Sequence, residues 1–369
     1  MGFLLFVLVV FTLYLRVWHK VAGAFFKGHP VAFWVSLGVT LLLFFMPVVT
    51  RMLSLPAGFS RIMEQLGWIC LAWVFWMWCI LLLFDVWNVA LWLISFLPRC
   101  SDALRFFAGD RLAVYAALAF TATATLWGVV EAGCIALRTV ELATDKMPEG
   151  LHECRIALVT DVHIGPAASY RRLKKMLRLL EEAKPDLLLS AGDFIDGRSA
   201  HEEEMARFLG ASPIASGRRY GVLGNHDCYS GIDVSRKLHQ EAKITLLEKR
   251  GELVDGWLWL YGEDDPASGR RMEKRLTGLP EGRFTIFLRH QPIWGGGDLQ
   301  VSGHSHGGQI FPFNFLVRTR YPYKESILHP VEGGYIYVSP GSGVWGPPFR
   351  VFARPEVTLF IIRNKKEQK

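Results

Sequence analysis

The sequence predicts an α/β fold, two sheets packed face to face with helices outside, preceded by a helical membrane region of about four spans. Three observations predict it. Hydrophobic residues make up 51% of the 369 residues, yet most tryptophans and the long uncharged runs fall before residue 140. After residue 150, runs of four or five apolar residues, suited to buried strands, first alternate with helical patterns and then mostly follow one another. Each of these runs breaks off into the same few residue types, Asp, His, Asn and Gly.

Residues 1–140 form the membrane region. Four stretches come close to the ~20 apolar residues that cross a hydrocarbon core, at about 2–18, 31–50, 66–84 and 112–134. The first has no basic n-region and no small-residue cleavage site, and three more follow it, so a cleaved signal peptide is disfavoured. Arg16 shortens it. The stretch at 66–84 holds Trp68, Trp73, Trp76 and Trp78 without a charge, which does not suit a soluble core of this size. Asp85 and Glu131 lie near predicted span ends, where they are expected to reach the interface rather than to act inside the bilayer.

Four spans put both ends of the chain on one side. Arg16, Lys20 and Lys27 in the first loop, with Arg99, Arg105 and Arg111 in the third, outnumber Arg51 and Arg61 in the second. By the positive-inside rule the second half of the chain then lies outside the cytoplasm, on an integral protein of the cell (inner) membrane. Arg138, Lys146 and Arg155 pull the other way. Of six cysteines, Cys70, Cys79, Cys100 and Cys134 lie in or beside the spans and only Cys154 and Cys228 lie beyond them. There is no C-x-x-C pair, so neither a zinc ribbon nor a thioredoxin-type site is supported. The net charge of +7 suits an anionic membrane surface as well as an anionic substrate.

Residues 150–369 form the second domain. The run at 155–160 leads into Asp161-Val-His163, that at 186–190 into Gly192-Asp193, and that at 220–223 into Gly224-Asn225-His226-Asp227. The run at 284–288 leads into Arg289-His290, and that at 298–302 into Gly303-His304-Ser305-His306. Between the first two, residues 169–184 place Leu173, Met176, Leu177 and Leu180 at i, i+3, i+4, i+7, an amphipathic helix closed by Pro185. Its basic face, Arg171, Arg172, Lys174, Lys175 and Arg178, is read as solvated. Shorter helices fit 201–209 and 235–242, and 244–261 and 335–362 are strand-rich. Open α/β sheets place ligands at strand C-termini, where every polar cluster here falls.

Asp, Asn and His are oxygen and nitrogen ligands for divalent metals. Seven of them, Asp161, His163, Asp193, Asn225, His290, His304 and His306, exceed the three or four of one catalytic zinc site and suit two ions sharing a carboxylate. Such a pair supports hydrolysis of a phosphate ester or anhydride. No G-x-S-x-G elbow and no P-loop pattern is present. Glycines at 192, 224 and 303 are expected to let the backbone turn sharply at the strand ends.

In this order, with Gly192-Asp193-x-x-Asp196 and Gly262-Glu263-Asp264-Asp265-Pro266, the motifs resemble the calcineurin-like metallophosphoesterase superfamily over about residues 153–362, and their wording is similar to its membrane-anchored bacterial branch. The resemblance implies an αββα sandwich. It implies that Asp161, His163 and His306 hold one metal, that Asn225, His290 and His304 hold the other, and that Asp193 bridges them. His226 would donate to the phosphoryl oxygen or leaving group, oriented by Asp196. The two divalent ions would be manganese, iron or zinc.

The segment at 310–323 puts apolar and aromatic residues and then Arg318 and Arg320 just after the last ligand. It reads either as a lipid-facing lid with a phosphate clamp or as a core-packed loop with surface ion pairs. With the membrane region, it points to a phosphorylated lipid or lipid-linked headgroup as substrate. A soluble phosphodiester or nucleotide is the alternative, Cys228 is read as a small buried filler, and no nucleic-acid partner is expected. Two rival classes are a transporter or receptor with a regulatory phosphoesterase domain and a nuclease. The first calls for polar residues along the spans, and the second for a soluble protein with a basic groove.

Overall fold

In a computed structural model of the chain, the described residues are 2–53, 57–98, 106–165, 170–197, 200–215 and 217–367. Arg99, Cys100, Arg105 and the start of the predicted helix at Ser169 lie outside them, as does the side chain of Arg51. The chain forms two compact units, Met1–Trp127 and Gly128–Lys369. The division falls upstream of the composition shift near residue 140.

The first unit comprises α1 (Gly2–Phe25), α2 (Pro30–Met52), α3 (Ala57–Ser95) and most of α4 (Asp110–Gly133). All four helices are long and apolar enough to cross a membrane. Their apolar side chains face outward, with Trp34 65% and Leu126 72% exposed, the arrangement expected where lipid is the solvent. Inside, Tyr14 and Thr40 share a hydrogen bond of 2.6 Å. A methyl group on Gly67 would lie 2.4 Å from Pro47 Cδ, so α2 and α3 touch there. α3 runs well past the expected span at 66–84. Its 39 residues extend roughly 58 Å at 1.5 Å per residue. Asp85 does not end it, because Arg16 forms an ion pair with its carboxylate and Lys20 Nζ lies 3.5 Å from Oδ1.

The second unit begins with the last turns of α4 and contains two six-stranded sheets. Their strands are β1 (Ala136–Thr144), β2 (Glu153–Val159), β3 (Leu187–Ser190), β4 (Arg219–Gly221), β5 (Thr245–Leu246), β6 (Arg250–Val254), β7 (Leu258–Glu263), β8 (Phe284–Arg289), β9 (Leu299–Ser302), β10 (Leu328–Val331), β11 (Gly334–Val338) and β12 (Glu356–Asn364). The first sheet runs β1-β12-β2-β3-β4-β5 and the second β10-β11-β9-β8-β7-β6. β2, β3, β4 and β5 pair in parallel, as do β7, β8, β9 and β11. Parallel pairing puts the ends of successive strands at one edge of each sheet. That is why the polar clusters, far apart in sequence, meet.

Alternation along the strands builds the sandwich. Ile156, Leu158, Leu187 and Leu189 face a core shared with Leu258, Leu260, Ile286 and Leu288 of the second sheet. Ala157, Val159 and Leu188 face the opposite way, toward α5 (Tyr170–Ala183), α6 (Ala200–Gly210) and α8 (Ile232–Glu241). Leu173, Met176, Leu177 and Leu180 of α5 are buried, and Arg171, Lys174 and Arg178 are exposed. Outside the second sheet, Gly295 packs on Phe287 and Arg289, and the fully buried Arg289 pairs with Glu263. A short helix, α7 (Asn225–Ser230), follows β4, and α9 (Phe313–Arg320) occupies the segment read from sequence as a lid or loop.

Glu131, in the part of α4 that belongs to this unit, accepts hydrogen bonds from the backbone N–H of Phe352 (3.0 Å) and of Ala353 (2.8 Å). It holds a loop in place instead of merely reaching the interface.

Removing most of a fully buried side chain leaves a cavity in the sandwich. Leu189→Ala should destabilise the chain by about 2–5 kcal/mol, whereas the half-exposed Leu253→Ala should shift it by less than about 0.5 kcal/mol. Denaturant unfolding of the full chain in detergent reads both. Equal effects would contradict the assignment of Leu189 to the shared core.

Candidate metal centre

Each candidate ligand stands just beyond a strand. Asp161 and His163 follow β2, Asp193 follows β3, and Asn225 opens α7 after β4. His290 follows β8, and His304 and His306 follow β9. Five of the seven, Asp161, His163, Asp193, His304 and His306, hold left-handed backbone, with φ between 46° and 70°. For a residue with a Cβ that conformation costs roughly 1–2 kcal/mol, and its accumulation in one cleft is a mark of a functional site.

The glycines beside them serve two different needs. Gly192 turns with φ 93°. Gly224 and Gly303 are there for close approach: a methyl group would lie 2.1 Å from Asp193 Oδ1 at Gly224, and 2.2 Å from Asp161 Oδ2 at Gly303. The expectation of a sharp turn at all three holds for conformation only at Gly192.

The seven candidates form two donor clusters, and a third group, His163 with Asp196 and His226, adjoins them. In one, Asp161, His163 and His306 bring ligand atoms within 4.8 Å of one another. His163 Nε2 is 3.0 Å from His306 Nε2, and His306 Nε2 is 3.3 Å from Asp161 Oδ1. In the other, His304 Nδ1 is 2.9 Å from Asn225 Oδ1 and 3.2 Å from His290 Nε2, and His290 Nε2 is 3.0 Å from Asp193 Oδ2. The same Asp193 Oδ2 is 3.7 Å from His163 Nε2, so this carboxylate reaches both. Ligands ~2.0–2.2 Å from a common ion are separated by about 3.0–3.6 Å for bond angles between square and tetrahedral. Most of the observed separations fall in that range, with 2.9 Å and 3.7 Å just outside it, and the residues present therefore suit divalent-cation binding.

The surrounding groups fix these side chains. His290 Nδ1 donates to the Ala191 carbonyl (2.8 Å), which fixes the ring with Nε2 on the Asp193 side. Asp193 Oδ1 accepts from the His226 backbone N–H (2.8 Å). Asp161 accepts from the Thr160 hydroxyl (2.8 Å) and from the His304 N–H (3.0 Å). Arg350 Nη2 donates to His306 Nδ1 (3.1 Å). A neutral His306 then carries its proton on Nε2, where a cation would compete with it.

Burial dominates the electrostatics. It raises the Asp161 carboxyl to about 6 and lowers His163 to about 4 and His304 to about 3. Burial, then His163 and Arg350, push His306 well below its ordinary value. Burial acts against the charge on Asp193 as well, but His290 beside it outweighs that, so the carboxylate is held low and the imidazole high. Three of the four histidines in the clusters are thus kept unprotonated, the form that binds metal.

His226 packs near this centre. Its Nδ1 is 3.1 Å from Asp196 Oδ1, and its ring centroid lies 4.9 Å from that of His163 and 5.2 Å from that of Trp345. The structure does not bring Arg318 to the clusters. It is exposed, and Arg320 sits 5.4 Å from the ring of Tyr321, whose centroid is 5.3 Å from that of His304. Among the described residues neither arginine forms a surface ion pair. Cys228 is half-buried, its thiol pushed up to about 12 by burial and then by Asp227 and Asp265.

Several positioning residues escaped the sequence reading. Asp227 accepts the N–H of Gly224 (2.8 Å) and of Ile195 (2.9 Å), tying two ligand loops together. Its place in the Gly-Asn-His-Asp motif could have signalled this. Arg350 is fully buried and satisfied by carbonyls of Gly343, Pro340 and Ala353. The Gly341-Ser342-Gly343 turn after β11 packs on Asp161, with Gly343 N–H donating to the Asp161 carbonyl (2.9 Å). The strand-end rule used for the ligands applies equally to that turn, whereas no motif marks Arg350.

The chain is similar to known metallophosphoesterases. The family model described as calcineurin-like phosphoesterase matches residues 154–308. A transmembrane protein with metallophosphoesterase domain from Danio rerio is 30% identical over 278 residues, covering 67% of this chain and 62% of that protein. An uncharacterized metallophosphoesterase of Aquifex aeolicus is 30% identical over 238 residues, 61% of this chain and 90% of that protein. Among solved structures, the calcineurin-like phosphoesterase YfkN from Bacillus subtilis aligns at 16% identity with a TM-score of 0.32, over 57% of this chain and 91% of that one.

Gly224→Ala should disrupt the Asp193 carboxylate and strip bound metal, while Gly256→Ala, which meets nothing within 4 Å, should not. Elemental analysis of the purified full chain checks this, and full metal retention in the Gly224 variant would contradict the close-packed geometry.

Proposed function

The chain belongs to the calcineurin-like metallophosphoesterase family, and on that premise we propose that it is a membrane-anchored two-metal phosphohydrolase acting on a phosphorylated lipid or lipid-linked headgroup. The observation that carries the chemistry is Asp193 Oδ2 standing between His290 Nε2 at 3.0 Å and His163 Nε2 at 3.7 Å. Asp161, His163 and His306 would hold one divalent ion and Asn225, His290 and His304 the other, with Asp193 common to both; manganese, iron and zinc all suit this nitrogen and oxygen set. When bound, such a pair polarises the phosphoryl group and lowers the pKa of water between the ions.

The protein's own groups supply the rest. His226 Nδ1 faces Asp196, so Nε2 is the nitrogen left to meet substrate. As the imidazolium, with Nδ1–H held by Asp196, His226 would give its Nε2 proton to the leaving-group oxygen as the ester or anhydride bond breaks. The buried clusters, with Asp161 and Asp193 at 0% and 2% exposure, exclude bulk water and strengthen these contacts. Arg320, beside Tyr321 and so near His304, would meet a substrate phosphate, whereas Arg318 stands away from the clusters.

The lipid reading rests on the four apolar helices and on the exposed apolar residues of α9. The membrane region also disfavours a nuclease. On this reading the phosphoesterase half lies outside the cytoplasm, at the inner membrane. The charges that opposed this, Arg138, Lys146 and Arg155, are occupied within the folded unit, Arg138 by Glu356 (3.9 Å), Lys146 by Asp298 (2.7 Å) and Arg155 by the Ala183 carbonyl (2.8 Å). Translocated domains tolerate such charges.

The test is hydrolysis by the full chain in detergent with added manganese, offered extracted membrane lipids and a chromogenic phosphodiester. Wild type should cleave a lipid phosphate. His226→Ala should lower turnover by about 10²–10⁴-fold while keeping its metal, and Asp193→Ala should lose both. Hydrolysis of the soluble ester alone would refute the lipid substrate, and full activity in both variants would refute the mechanism. Protease treatment of sealed vesicles reports the side.

A further inference from the structure

Among its eight residues α9 buries none, although it carries two phenylalanines, a leucine and a valine. Phe315 and Leu316 are each 58% exposed, and Phe352, from the loop before β12, is 68% exposed. Phe311 links the two segments, its ring centroid 5.8 Å from that of Phe315 and 5.6 Å from that of Phe352. An exposed apolar patch of this extent marks an interaction surface.

What covers it follows from how the loop at 349–354 is held. Phe352 and Ala353 donate their N–H groups to the Glu131 carboxylate, Arg350 N–H donates to the Gly128 carbonyl (3.0 Å), and Arg354 Nε donates to the Cys134 carbonyl (2.8 Å). A methyl group on Gly128 would lie 3.0 Å from the Arg350 carbonyl. Phe352 is therefore fixed to the last turns of α4, whose apolar stretch ends at Gly133. The end of a membrane-crossing helix lies at the headgroup boundary, and a patch clamped to it lies at the same depth.

Charge agrees. Arg318 and Arg320 end α9 and are exposed, Arg354 sits beside Phe352, and Lys175 Nζ donates to the Gly133 carbonyl (2.7 Å). Cations around an apolar centre are the composition of a surface that lies in the interface of an anionic leaflet. We propose that the patch formed by α9, Phe311 and Phe352 docks into the headgroup and acyl boundary of an anionic lipid leaflet, the one at which α4 ends. This rests on α4 crossing a membrane and not on the substrate being a lipid. Because α9 starts just after the His306 turn and ends beside Tyr321, docking sets the metal centre one short helix from the leaflet surface.

The test places a benzophenone amino acid at Phe315, at Phe352 or, as a control, at the half-exposed Leu253 of β6. The full chain is reconstituted in vesicles of phosphatidylcholine with phosphatidylglycerol and irradiated. Mass spectrometry should find lipid adducts at 315 and 352 several-fold above those at 253, with the yield falling when phosphatidylglycerol is omitted. Adduct yields at 315 and 352 no higher than at 253 would overturn the docking, as would adducts to a second copy of the chain. A yield indifferent to phosphatidylglycerol would contradict the charged half. No hydrolysis is needed, so lipid adducts without lipid turnover would leave the docking standing and refute only the lipid substrate.

Discussion

The Asp193 carboxylate is the point on which the second unit is organised. One oxygen takes the backbone N–H of His226, and the other stands between His290 and His163. An anion this deeply buried is costly unless it is paired. Here the pairing comes from three other chain segments, so the carboxylate ties the ends of β2, β4 and β8 to that of its own β3. The absence of a Cβ on Gly224 makes room for it.

Around that anion the fold accepts local strain. Left-handed backbone at five candidate ligands is unfavourable in isolation. It persists because the strands behind it cannot move: Ile156, Leu158, Leu187, Leu188 and Leu189 are all essentially buried. The sandwich supplies rigidity, and the strand-end loops use it to aim imidazoles and carboxylates at common points. Asp227 and Arg350 complete the support by binding backbone and ligand groups across loops. The exposed aromatic surface on α9 and Phe352 needs no such strain. It depends on the clamp from Glu131.

The elements legible in sequence were those in which one physical signal dominated. Parallel, fully buried strands read as short apolar runs, and α5 read as a helix because its buried face repeats at helical spacing. β1 was not legible. It is an edge strand, half exposed and paired only with β12, and its mixed composition abuts an apolar span. α9 was missed because it buries no face, and helical periodicity is a signal of burial. The candidate ligands were visible as residue types at strand ends, but the left-handed backbone at five of them and the contacts of Arg350 arise from tertiary structure that no local pattern encodes. Asp85 and Glu131 show the same limit. Both were placed near helix ends, while their partners, Arg16 in one case and the Phe352 backbone in the other, are remote in sequence.

The central claim is that one carboxylate joins two metal positions. Electron paramagnetic resonance of the manganese-loaded full chain tests it most directly. A spin-coupled multiline spectrum from the wild type, replaced by the six-line signal of isolated manganese in Asp193→Ala, is the predicted result. An uncoupled signal from the fully loaded wild type would contradict the shared carboxylate.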